Sequence, residues 1–498
     1  MSDNNIKTSL GKNGYTIIKS TLQPHELQQI KKDLTVYPKV NGNYGPDEPE
    51  EPIILYQENA LKIYIPRYYG INKFNQPLKI KLDITKEANL VFPFKLRPQQ
   101  MPIVDAYFKN INLSNNLGGG GLICAGCGVG KTVMSLYIAS KIKLKTLVIV
   151  NRGDLKDQWI ERIEYFIPDA KIGFIQGPKA DVDDKDIVVA MLHSVSGHKY
   201  PNYVFQNFGF VIYDECHHLG ARMFSKAFKK TNFKYTLGLT ATLRRTDGLI
   251  NIIMWNLGDI VYKQGINTDS DIDVKVYYYN NDDTKYNKEV RNYKKQIMNP
   301  IIINNIAQCV KRNDFIISLI PALIADNRTI LIITERISQV TYIYDSILEQ
   351  KIATIGKYIG GLKRDVLKES LKCRIIIGTY NMLEEGFDCK TLNTLIMATP
   401  KSDIQQTIGR ILRLEKDKRT IKPLVIDIYD QFANCINKGK KRLTYYRKQK
   451  YSINNFMIDD NQTPYLQIKM EDTKKNTKEN TKENTKKNNK PKKIQYTF

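Results

Sequence analysis

The stretch from Ala125 to Thr132 contains residue types that bind phosphate groups, in the order AGCGVGKT. Its glycines allow consecutive backbone N–H groups to converge on one oxyanion, which larger side chains would obstruct. These glycines are Gly126, Gly128 and Gly130. Lys131 can reach the β- and γ-phosphates of a nucleotide, and the Thr132 hydroxyl can bind Mg²⁺. The stretch therefore predicts a site for a nucleoside triphosphate and its magnesium ion.

Two adjacent carboxylates, Asp214 and Glu215, follow the apolar run Val211–Tyr213. A strand at this run would deliver both carboxylates at its carboxyl end, where open α/β sheets bind their ligands. We predict that Asp214 holds Mg²⁺, directly or through water, and that Glu215 polarises the attacking water molecule. The alternative is a strand that ends in a solvated acidic turn. The phosphate-binding stretch, whose Lys131 lies 83 residues earlier, argues against it.

Short aliphatic runs alternate with longer amphipathic segments around these residues. This alternation is typical of a parallel sheet covered by helices on both faces. The predicted strands are Leu122–Cys124, Thr146–Val150, Ile187–Met191, Phe210–Tyr213 and Leu237–Leu239 in one region and Ile330–Ile333, Arg374–Ile377, Thr394–Met397 and Leu424–Ile428 in another. The predicted fold class is therefore α/β, with two tandem lobes that each contain a parallel sheet.

The two predicted lobes occupy residues 91–265 and 300–440. Residues 1–90 contain many Tyr, Asn and Pro residues but no chemical motif, and we predict a small N-terminal accessory module there. The stretch Thr268–Asn299 is predicted to be a linker or a β excursion. Residues 471–498 contain nine lysines and four acidic residues, with no aliphatic or aromatic side chain before residue 494. This basic tail cannot bury a core and is expected to be disordered.

The chain is strongly basic. Its 498 residues include 76 Lys and Arg against 51 Asp and Glu, a formal net charge of +25. An excess of this size favours a polyanionic partner such as nucleic acid. A solubilising surface with a basic tail is the alternative. Because residues 471–498 supply a net charge of only +5, the rest of the chain must carry most of the excess.

Composition also excludes several classes of protein. Met1–Leu10 is polar and lacks the apolar core of a signal peptide. The longest apolar stretch, Phe315–Ala325, is too short to cross a bilayer, so no membrane association is expected. The seven cysteines are scattered and do not resemble a disulfide framework. This usage favours a reducing compartment and predicts a cytoplasmic location.

These residues resemble the sequence blocks of superfamily 2 helicases, which tolerate Ala125 at the first position of the phosphate-binding stretch. Further blocks follow in the expected order, so the resemblance spans residues 92–435. The matching segments are Lys95–Gln100 upstream of the phosphate-binding stretch, Asn151–Leu155 with Gln158 and Trp159 (motif Ia), Asp214–His217 (II), Leu239–Thr242 (III), Ile333–Arg336 (IV), Gly378–Thr379 and Glu385–Asp388 (V) and Gln406–Arg413 (VI). The resemblance implies that both lobes are RecA-like.

The resemblance also implies roles for individual residues around ATP. Gln100 would read the adenine, and Arg97 and Asp388 would contribute to nucleotide binding. Coupling of hydrolysis to strand movement falls to His217, Thr240 and Thr242, and catalysis to Glu215, Gln406, Arg410 and Arg413. The apolar spacing of Ile408, Ile411 and Leu412 predicts a helix that carries both arginines on one face, one turn apart. We expect these arginines to reach the γ-phosphate across a cleft between the lobes.

A motor that passes every sequence must contact mainly the nucleic-acid backbone. The candidate contacts are Arg152, Gly153, His193, Ser194, Thr334, Gly378 and Thr379. The Ser and Thr residues among them have helix capping as an alternative role. The basic segment Lys438–Lys450 could contact the nucleic acid or pack against the second lobe, and the sequence leaves both open. The basic tail would add non-specific, salt-sensitive affinity.

Three sequence variants narrow the resemblance: Leu-Arg-Pro-x-Gln, DECH and Gly-Leu-Thr-Ala-Thr-Leu. They resemble the XPB-like branch and, within it, the transcript-release DNA helicases of poxviruses and other large cytoplasmic DNA viruses. This implies an ATP- and Mg²⁺-dependent helicase or translocase that moves 3′ to 5′ on DNA in viral transcription or replication. RNA polymerase or transcription factors would be its partners. An RNA helicase and an ATP-switched nucleic-acid-binding factor without unwinding remain alternatives, and no oligomeric state is predicted.

Overall fold

The structure is a computed structural model, and its described residues leave gaps. They are 6–37, 51–111, 113, 116–126, 128–216, 221–241, 250–264, 271–293, 295–384, 387, 389–412, 414, 418–458 and 464–468. The tail at 471–498, predicted to be disordered, lies outside them. No helix within these ranges is long and apolar enough to span a membrane. The six cysteines in these ranges are free thiols.

The first part of the chain forms a mixed five-stranded sheet with two helices. Its elements are β1 (Thr8–Gly11), β2 (Gly14–Ile18), α1 (Pro24–Asp33), β3 (Thr35–Val36), β4 (Ile53–Ile54), β5 (Gln57–Glu58), β6 (Lys62–Ile65), α2 (Arg67–Phe74) and β7 (Lys79–Lys81). The strand order is β5-β6-β2-β1-β7, and β3 pairs with β4 separately. Apart from the parallel pair of β1 with β7, the sheet is antiparallel.

The next part is a lobe built on an eight-stranded sheet. Its elements are α3 (Met101–Asn110), β8 (Gly119–Cys124), α4 (Lys131–Ile142), β9 (Thr146–Val150), α5 (Gly153–Phe166), β10 (Ile172–Gln176), β11 (Lys179–Asp181), β12 (Ile187–Met191), α6 (Leu192–Gly197), β13 (Phe210–Tyr213), α7 (Ala221–Phe228), β14 (Tyr235–Thr240), α8 (Ile250–Leu257) and β15 (Ile260–Lys263). The strand order is β11-β10-β12-β9-β13-β14-β8-β15. All pairs are parallel except that of β11 with β10.

The central strands of this first lobe are buried on both faces. Along β9, Leu147 and Ile149 pack into one hydrophobic cluster, whereas Val148 and Val150 pack into another. This alternation follows from the two-residue period of a strand. The second of these clusters also contains the buried faces of α3, α4 and α5.

The N-terminal module contributes to the first of those clusters. Tyr15, Ile30 and Ile63 of the module are buried in it together with residues of the first lobe. Arg67 at the start of α2 is 3% exposed. Its guanidinium donates hydrogen bonds to the carbonyl oxygens of Phe233 (3.1 Å), Lys234 (2.9 Å) and Leu117 (2.5 Å). The module is thus attached to the lobe by apolar packing and by a buried cation that binds backbone oxygens.

The second lobe repeats the design. Its elements are β16 (Asp273–Tyr279), α9 (Asn299–Gln308), α10 (Val310–Ser318), α11 (Ile320–Ala325), β17 (Ile330–Thr334), α12 (Ile337–Glu349), β18 (Ile355–Tyr358), α13 (Arg364–Ser370), β19 (Ile375–Thr379), α14 (Tyr380–Glu384), β20 (Thr394–Met397), α15 (Gln405–Ile408), β21 (Leu424–Asp430), α16 (Ala433–Lys448), β22 (Ser452–Ile458) and β23 (Pro464–Ile468). The strand order is β18-β19-β17-β20-β21-β16-β22-β23. Only the pairing of β22 with β23 is antiparallel among these strands. The predicted α/β fold with two parallel sheets is confirmed.

The stretch predicted as a linker or β excursion contributes a strand of this sheet. β16 lies between β21 and β22 and pairs with both in parallel. Val274 and Val276 are fully buried, and the run of tyrosines that follows suits a pleated surface. The sheet therefore includes strands on either side of residues 300–440.

We predict that Arg67→Ala lowers the free energy of unfolding by about 3 kcal/mol, because it leaves buried carbonyl oxygens without a donor. Urea unfolding measures this change, and limited proteolysis of the N-terminal module should accelerate with it. Arg291→Ala is the control, since Arg291 binds Glu289 and the Lys295 carbonyl at an exposed site; its cost should stay within about 1 kcal/mol. An equal loss of unfolding free energy in the two variants would contradict the role of Arg67 in attaching the module to the first lobe.

Candidate functional site

Three neighbouring strand ends of the first lobe carry the predicted chemistry. The phosphate-binding stretch follows β8, Asp214 and Glu215 follow β13, and Thr240 ends β14, which lies between them. Because these strands are parallel, their carboxyl ends meet at one edge of the sheet. The carbonyl oxygen of Thr240 accepts a 2.9 Å hydrogen bond from the Ala125 amide, so the end of β14 contacts the loop directly.

The phosphate-binding loop depends on glycine for its shape. Gly128 and Gly130 have φ angles of +86° and +89°, in the left-handed region that side chains disfavour. A Cβ atom on Gly130 would lie 2.3 Å from the Gln100 side-chain nitrogen. The helix α4 starts at Lys131 directly after this glycine. Its first N–H groups have no partner within the helix, which is the arrangement that binds anions.

Lys131 connects the loop to the carboxylates. Its Nζ atom lies 3.4 Å from Oε1 of Glu215 and 3.0 Å from the Ala125 carbonyl oxygen. Glu215 has φ +43°, a left-handed conformation that a non-glycine residue rarely adopts. This conformation indicates a backbone constrained by its surroundings, which is common in active sites. The predicted phosphate ligand and the predicted water-activating carboxylate are therefore brought together.

Asp214 is held from two directions. Its Oδ2 accepts a 2.7 Å hydrogen bond from the indole of Trp159, and its Oδ1 accepts one of 2.9 Å from the Glu215 amide. The residue is 6% exposed. Burial, and then the neighbouring Glu215 carboxylate, raise the pKa of Asp214 to about 6. Sequence reasoning placed Trp159 in motif Ia without a role, although an indole can orient a buried carboxylate through its N–H group.

The donor set at this edge fits a divalent cation. Asp214 and Glu215 bring two carboxylates to the loop, whereas Lys131 brings one positive charge. Each carboxylate oxygen has lone pairs beyond those that its hydrogen bonds use. The Thr132 hydroxyl lies on the first turn of α4, next to Lys131. Mg²⁺ typically takes one or two protein oxygens and completes its shell with phosphate and water.

The segment upstream of the loop is attached to it by Gln100. This residue ends a short 3₁₀ helix, Pro98–Gln100, and is 3% exposed. Its side-chain nitrogen donates to the Val129 carbonyl oxygen (2.8 Å), and its side-chain oxygen accepts from the Arg97 amide (3.0 Å). The Arg97 side chain is exposed. A primary amide has a second hydrogen and further lone pairs, so these contacts leave Gln100 capacity to bind adenine.

Gln264 is a contact that sequence reasoning missed. It follows β15, and its side-chain oxygen accepts a 2.7 Å hydrogen bond from the Gly126 amide of the phosphate-binding loop. Its own amide donates to the Cys124 carbonyl oxygen (2.8 Å). Gln264 is the last described residue before 271, where the second lobe begins. No motif marks it, because the contact arises only from the pairing of β15 with β8.

The predicted motif VI helix is shorter than expected. The helix α15 ends at Ile408, and Arg410 lies in the turn that follows. Apolar spacing over so few residues does not distinguish a helix from a turn, and Gly409 weakens the helix. Arg410 is 3% exposed and donates a 2.6 Å hydrogen bond to the Phe387 carbonyl oxygen of its own lobe. Gln406 lies half-buried on α15. The approach of Arg410 to a γ-phosphate stays a prediction.

Arg152, a predicted nucleic-acid contact, bridges the two lobes. It forms an ion pair with Asp154 (3.0 Å). It also donates to the Asn381 carbonyl oxygen and to the Met382 sulfur (3.1 Å), both on α14 of the second lobe. Gly153 is exposed at the start of α5. Motif Ia and the segment after Gly378–Thr379 are therefore brought together at this contact between the lobes.

The other predicted nucleic-acid contacts have different surroundings. His193 is exposed on α6, whereas Ser194 accepts a 2.8 Å hydrogen bond from the Gly177 amide. Thr334 is fully buried, and its hydroxyl donates to Gln339 and accepts from the Arg336 amide. The N-cap of α12 is Arg336 and has no side-chain cap hydrogen bond, so Thr334 does not take the alternative capping role. Gly378 is buried, with room for no Cβ, and Thr379 is half-buried at the end of β19. Four predicted site residues lie outside the described ranges: His217, Thr242, Asp388 and Arg413.

Comparisons with known proteins agree with this geometry. Residues 93–245 match the family described as the res subunit of type III restriction enzymes. The L396 protein of Acanthamoeba polyphaga mimivirus, provisionally named an ATP-dependent RNA helicase, is 37% identical over 92% of this chain and 88% of its own length. The protein 161L of Invertebrate iridescent virus 6, provisionally named a helicase, is 25% identical over 88% of this chain and 98% of its own length.

Among solved structures, a fragment described as an HsdR subunit of a type I restriction enzyme from Vibrio vulnificus YJ016 shares the fold. It has a TM-score of 0.52 at 15% identity and covers 76% of this chain and 71% of that fragment. The viral relatives and the fold together thus define the class of protein, a superfamily 2 helicase with two RecA-like lobes. This chain belongs to the helicase family of large DNA viruses that includes L396. It is an ATP-hydrolysing enzyme, and the resemblance to helicases of large DNA viruses is confirmed. The assignment to the XPB-like branch stays a prediction.

We predict that Lys131→Ala and Glu215→Gln each lower the turnover number for ATP by about 10²-fold or more, because the first removes a phosphate ligand and the second the carboxylate that polarises water. Phosphate release by the purified variants measures this. Circular dichroism should show an unchanged fold. Lys311→Ala and Glu289→Gln make the same chemical changes at exposed ion pairs and should keep wild-type turnover. A wild-type rate of ATP turnover in Lys131→Ala or Glu215→Gln would contradict the assignment of that residue to the ATP site.

Proposed function

We propose that this protein is a Mg²⁺-dependent motor that hydrolyses ATP to move 3′ to 5′ along DNA and unwind it during viral transcription or replication. The observation that carries the proposal is the group Lys131, Glu215 and Asp214 at one sheet edge, with Lys131 and Glu215 3.4 Å apart. The polarity, the DNA substrate and the role in transcription or replication rest on the sequence resemblance to transcript-release DNA helicases.

In the proposed mechanism, the loop amides and Lys131 bind the β- and γ-phosphates of ATP. Asp214 and Thr132 would hold Mg²⁺, whose contribution when bound is to neutralise charge on the phosphate oxygens. Glu215 orients the attacking water molecule and accepts its proton. Gln100 and Arg97 bind the adenine end, and Asp388 contributes to nucleotide binding. The burial of Asp214 supports its assignment as a magnesium ligand. A carboxylate that is only 6% exposed has lost most of its hydration, and a bound cation would offset that loss.

Closure of the two lobes would couple hydrolysis to movement. Arg410, Arg413 and Gln406 would face the nucleotide from the second lobe, and His217, Thr240 and Thr242 would transmit the change. The Arg152 contact with α14 supports a closing cleft, because it already joins the lobes beside Thr379. DNA would lie across both lobes on Arg152, Gly153, His193, Gly378 and Thr379. Thr334, the remaining predicted contact, is fully buried, backbone included, so it would shape its segment through its hydrogen bonds with Gln339 and the Arg336 amide and would not touch the strand.

RNA is the second candidate substrate. One observation favours it: the name of the 37% identical mimivirus protein is that of an RNA helicase. DNA is favoured here by the XPB-like sequence variants. The net charge of +25 suits either polyanion. We also propose a cytoplasmic site of action, with RNA polymerase or transcription factors as partners.

The decisive experiment compares ATPase turnover without nucleic acid, with single-stranded DNA and with RNA, followed by strand displacement on DNA, RNA and hybrid duplexes of both polarities. We expect DNA to stimulate turnover and 3′-tailed DNA duplexes to be unwound. Stimulation and unwinding by RNA alone would replace the DNA proposal with the RNA one. Tight binding with weak turnover and no displacement would identify an ATP-switched binding factor instead.

We predict that Trp159→Phe raises the Mg²⁺ concentration for half-maximal ATPase activity about tenfold, because it removes the hydrogen bond that orients Asp214. A magnesium titration at saturating ATP measures this. Trp255→Phe is the matched control: the chain has two tryptophans, and Trp255 packs edge-on against Tyr69. Its magnesium dependence should equal that of the wild type. An unchanged titration in Trp159→Phe would show that Asp214 does not bind the ion.

A further inference from the structure

The loop 398–401 connects β20 to the segment that carries Gln406 and Arg410, and side chains hold each of its carbonyl oxygens. Arg312 donates to that of Ala398 (2.6 Å) and the Tyr380 hydroxyl to that of Thr399 (3.0 Å). Lys438 donates to that of Pro400 (3.2 Å) and Arg442 to that of Lys401 (2.8 Å). Backbone oxygens in a connecting loop ordinarily bind water or other backbone groups. In this loop, four consecutive carbonyl oxygens instead accept hydrogen bonds from side chains of three helices. These hydrogen bonds therefore fix the position of the loop relative to the helices.

Two buried ion pairs fix the two arginine donors. Arg312 binds both carboxylate oxygens of Asp430, at 2.7 and 2.9 Å, and both residues are fully buried. Arg442 binds Asp427 at 2.8 Å and is likewise buried. Asp427 and Asp430 lie three residues apart on β21 and therefore face opposite sides of the sheet. The loop is thus joined to both faces of the sheet by two arginines that are each paired with an aspartate of β21.

Tyr380 connects this loop to the proposed nucleic-acid side of the lobe. It directly follows Gly378 and Thr379, and its hydroxyl donates to the Thr399 carbonyl oxygen. On the other side, the Thr399 hydroxyl accepts a 2.9 Å hydrogen bond from the Glu335 amide, which follows Thr334. The loop therefore contacts both the segment proposed to bind the nucleic-acid backbone in this lobe and the segment that Thr334 shapes. It also leads directly to the segment proposed to reach ATP.

We propose that the loop 398–401 transmits nucleic-acid binding to the ATP site and that the Tyr380 hydroxyl is the positioning residue for this step. The inference rests on the proposed function. A shift of Thr379 on binding a strand moves Tyr380, and its hydrogen bond moves Thr399. Because Arg312 and Arg442 bind the loop at Ala398 and Lys401 and limit its bending, the shift of Thr399 passes along the backbone to α15 and Arg410. Tyr380 is itself buried at 2% exposure, so we assign it a positioning role and no contact with either substrate.

The test is Tyr380→Phe, which removes one hydroxyl and keeps the ring. Tyr107→Phe is the matched control, because the Tyr107 hydroxyl also is buried and donates to a backbone carbonyl, that of Thr236 (2.9 Å) in the first lobe. Both variants should lose similar stability in thermal unfolding. ATPase turnover is measured for each full-length protein without nucleic acid and over a titration of single-stranded DNA and of RNA.

We expect Tyr380→Phe to lower the maximal nucleic-acid-stimulated turnover about five- to tenfold, the equivalent of one buried hydrogen bond. Basal turnover and the KM for ATP should remain at wild-type values, and Tyr107→Phe should keep full stimulation. Equal stimulation in Tyr380→Phe and wild type would overturn this inference and leave the proposed function intact. An equal loss in both variants would overturn it as well, since the effect would then be one of stability. A wild-type protein that neither polynucleotide stimulates would instead overturn the proposed function.

Discussion

Hydrogen bonding between parallel strands is the constraint on which the rest of this structure depends. It brings the carboxyl ends of β8, β14 and β13 to one edge of the first sheet, so that residues more than 80 positions apart in the chain become neighbours. Each strand then needs only to end in a suitable residue type. The phosphate-binding loop, Thr240 and the carboxylates Asp214 and Glu215 all meet this condition. The second lobe uses the same geometry to gather Thr334, Thr379 and the loop 398–401.

Buried charged side chains fix the backbone at a few places in this structure, whereas exposed ion pairs do not. Arg312 with Asp430, and Arg442 with Asp427, lie in the second lobe without exposure to water, and each arginine also binds a loop carbonyl. Burial of an ion is costly unless its partners satisfy it, so such groups tend to persist only where their position matters. Arg67 is buried in the same way, with backbone carbonyl oxygens as hydrogen-bond partners. Exposed pairs such as Lys311 with Asp282 carry no such constraint.

Much of the fold could be predicted because buried parallel strands are recognisable as continuous aliphatic runs. The predicted bounds of β9, β12, β13 and β20 match the structure. The helix predicted over motif VI was too long, since apolar spacing over a few residues fits a turn equally well. Within the site, the proximity of Lys131 and Glu215 followed from their strand-end positions. The contacts of Trp159, Gln264 and Tyr380 did not, because none of these residues belongs to a pattern with a fixed partner.

The sequence by itself indicated the chemistry: glycines, a lysine and paired carboxylates at strand ends predict a nucleotide site at the edge of a parallel sheet. It also determined the two-lobed α/β fold, because continuous aliphatic runs mark the buried strands and helical spacing marks many of the segments between them. Only the tertiary structure decided which polar groups meet across elements. A hydrogen bond such as that from Tyr380 to Thr399 depends on atoms within about 3 Å, and local residue patterns do not encode positions at that precision.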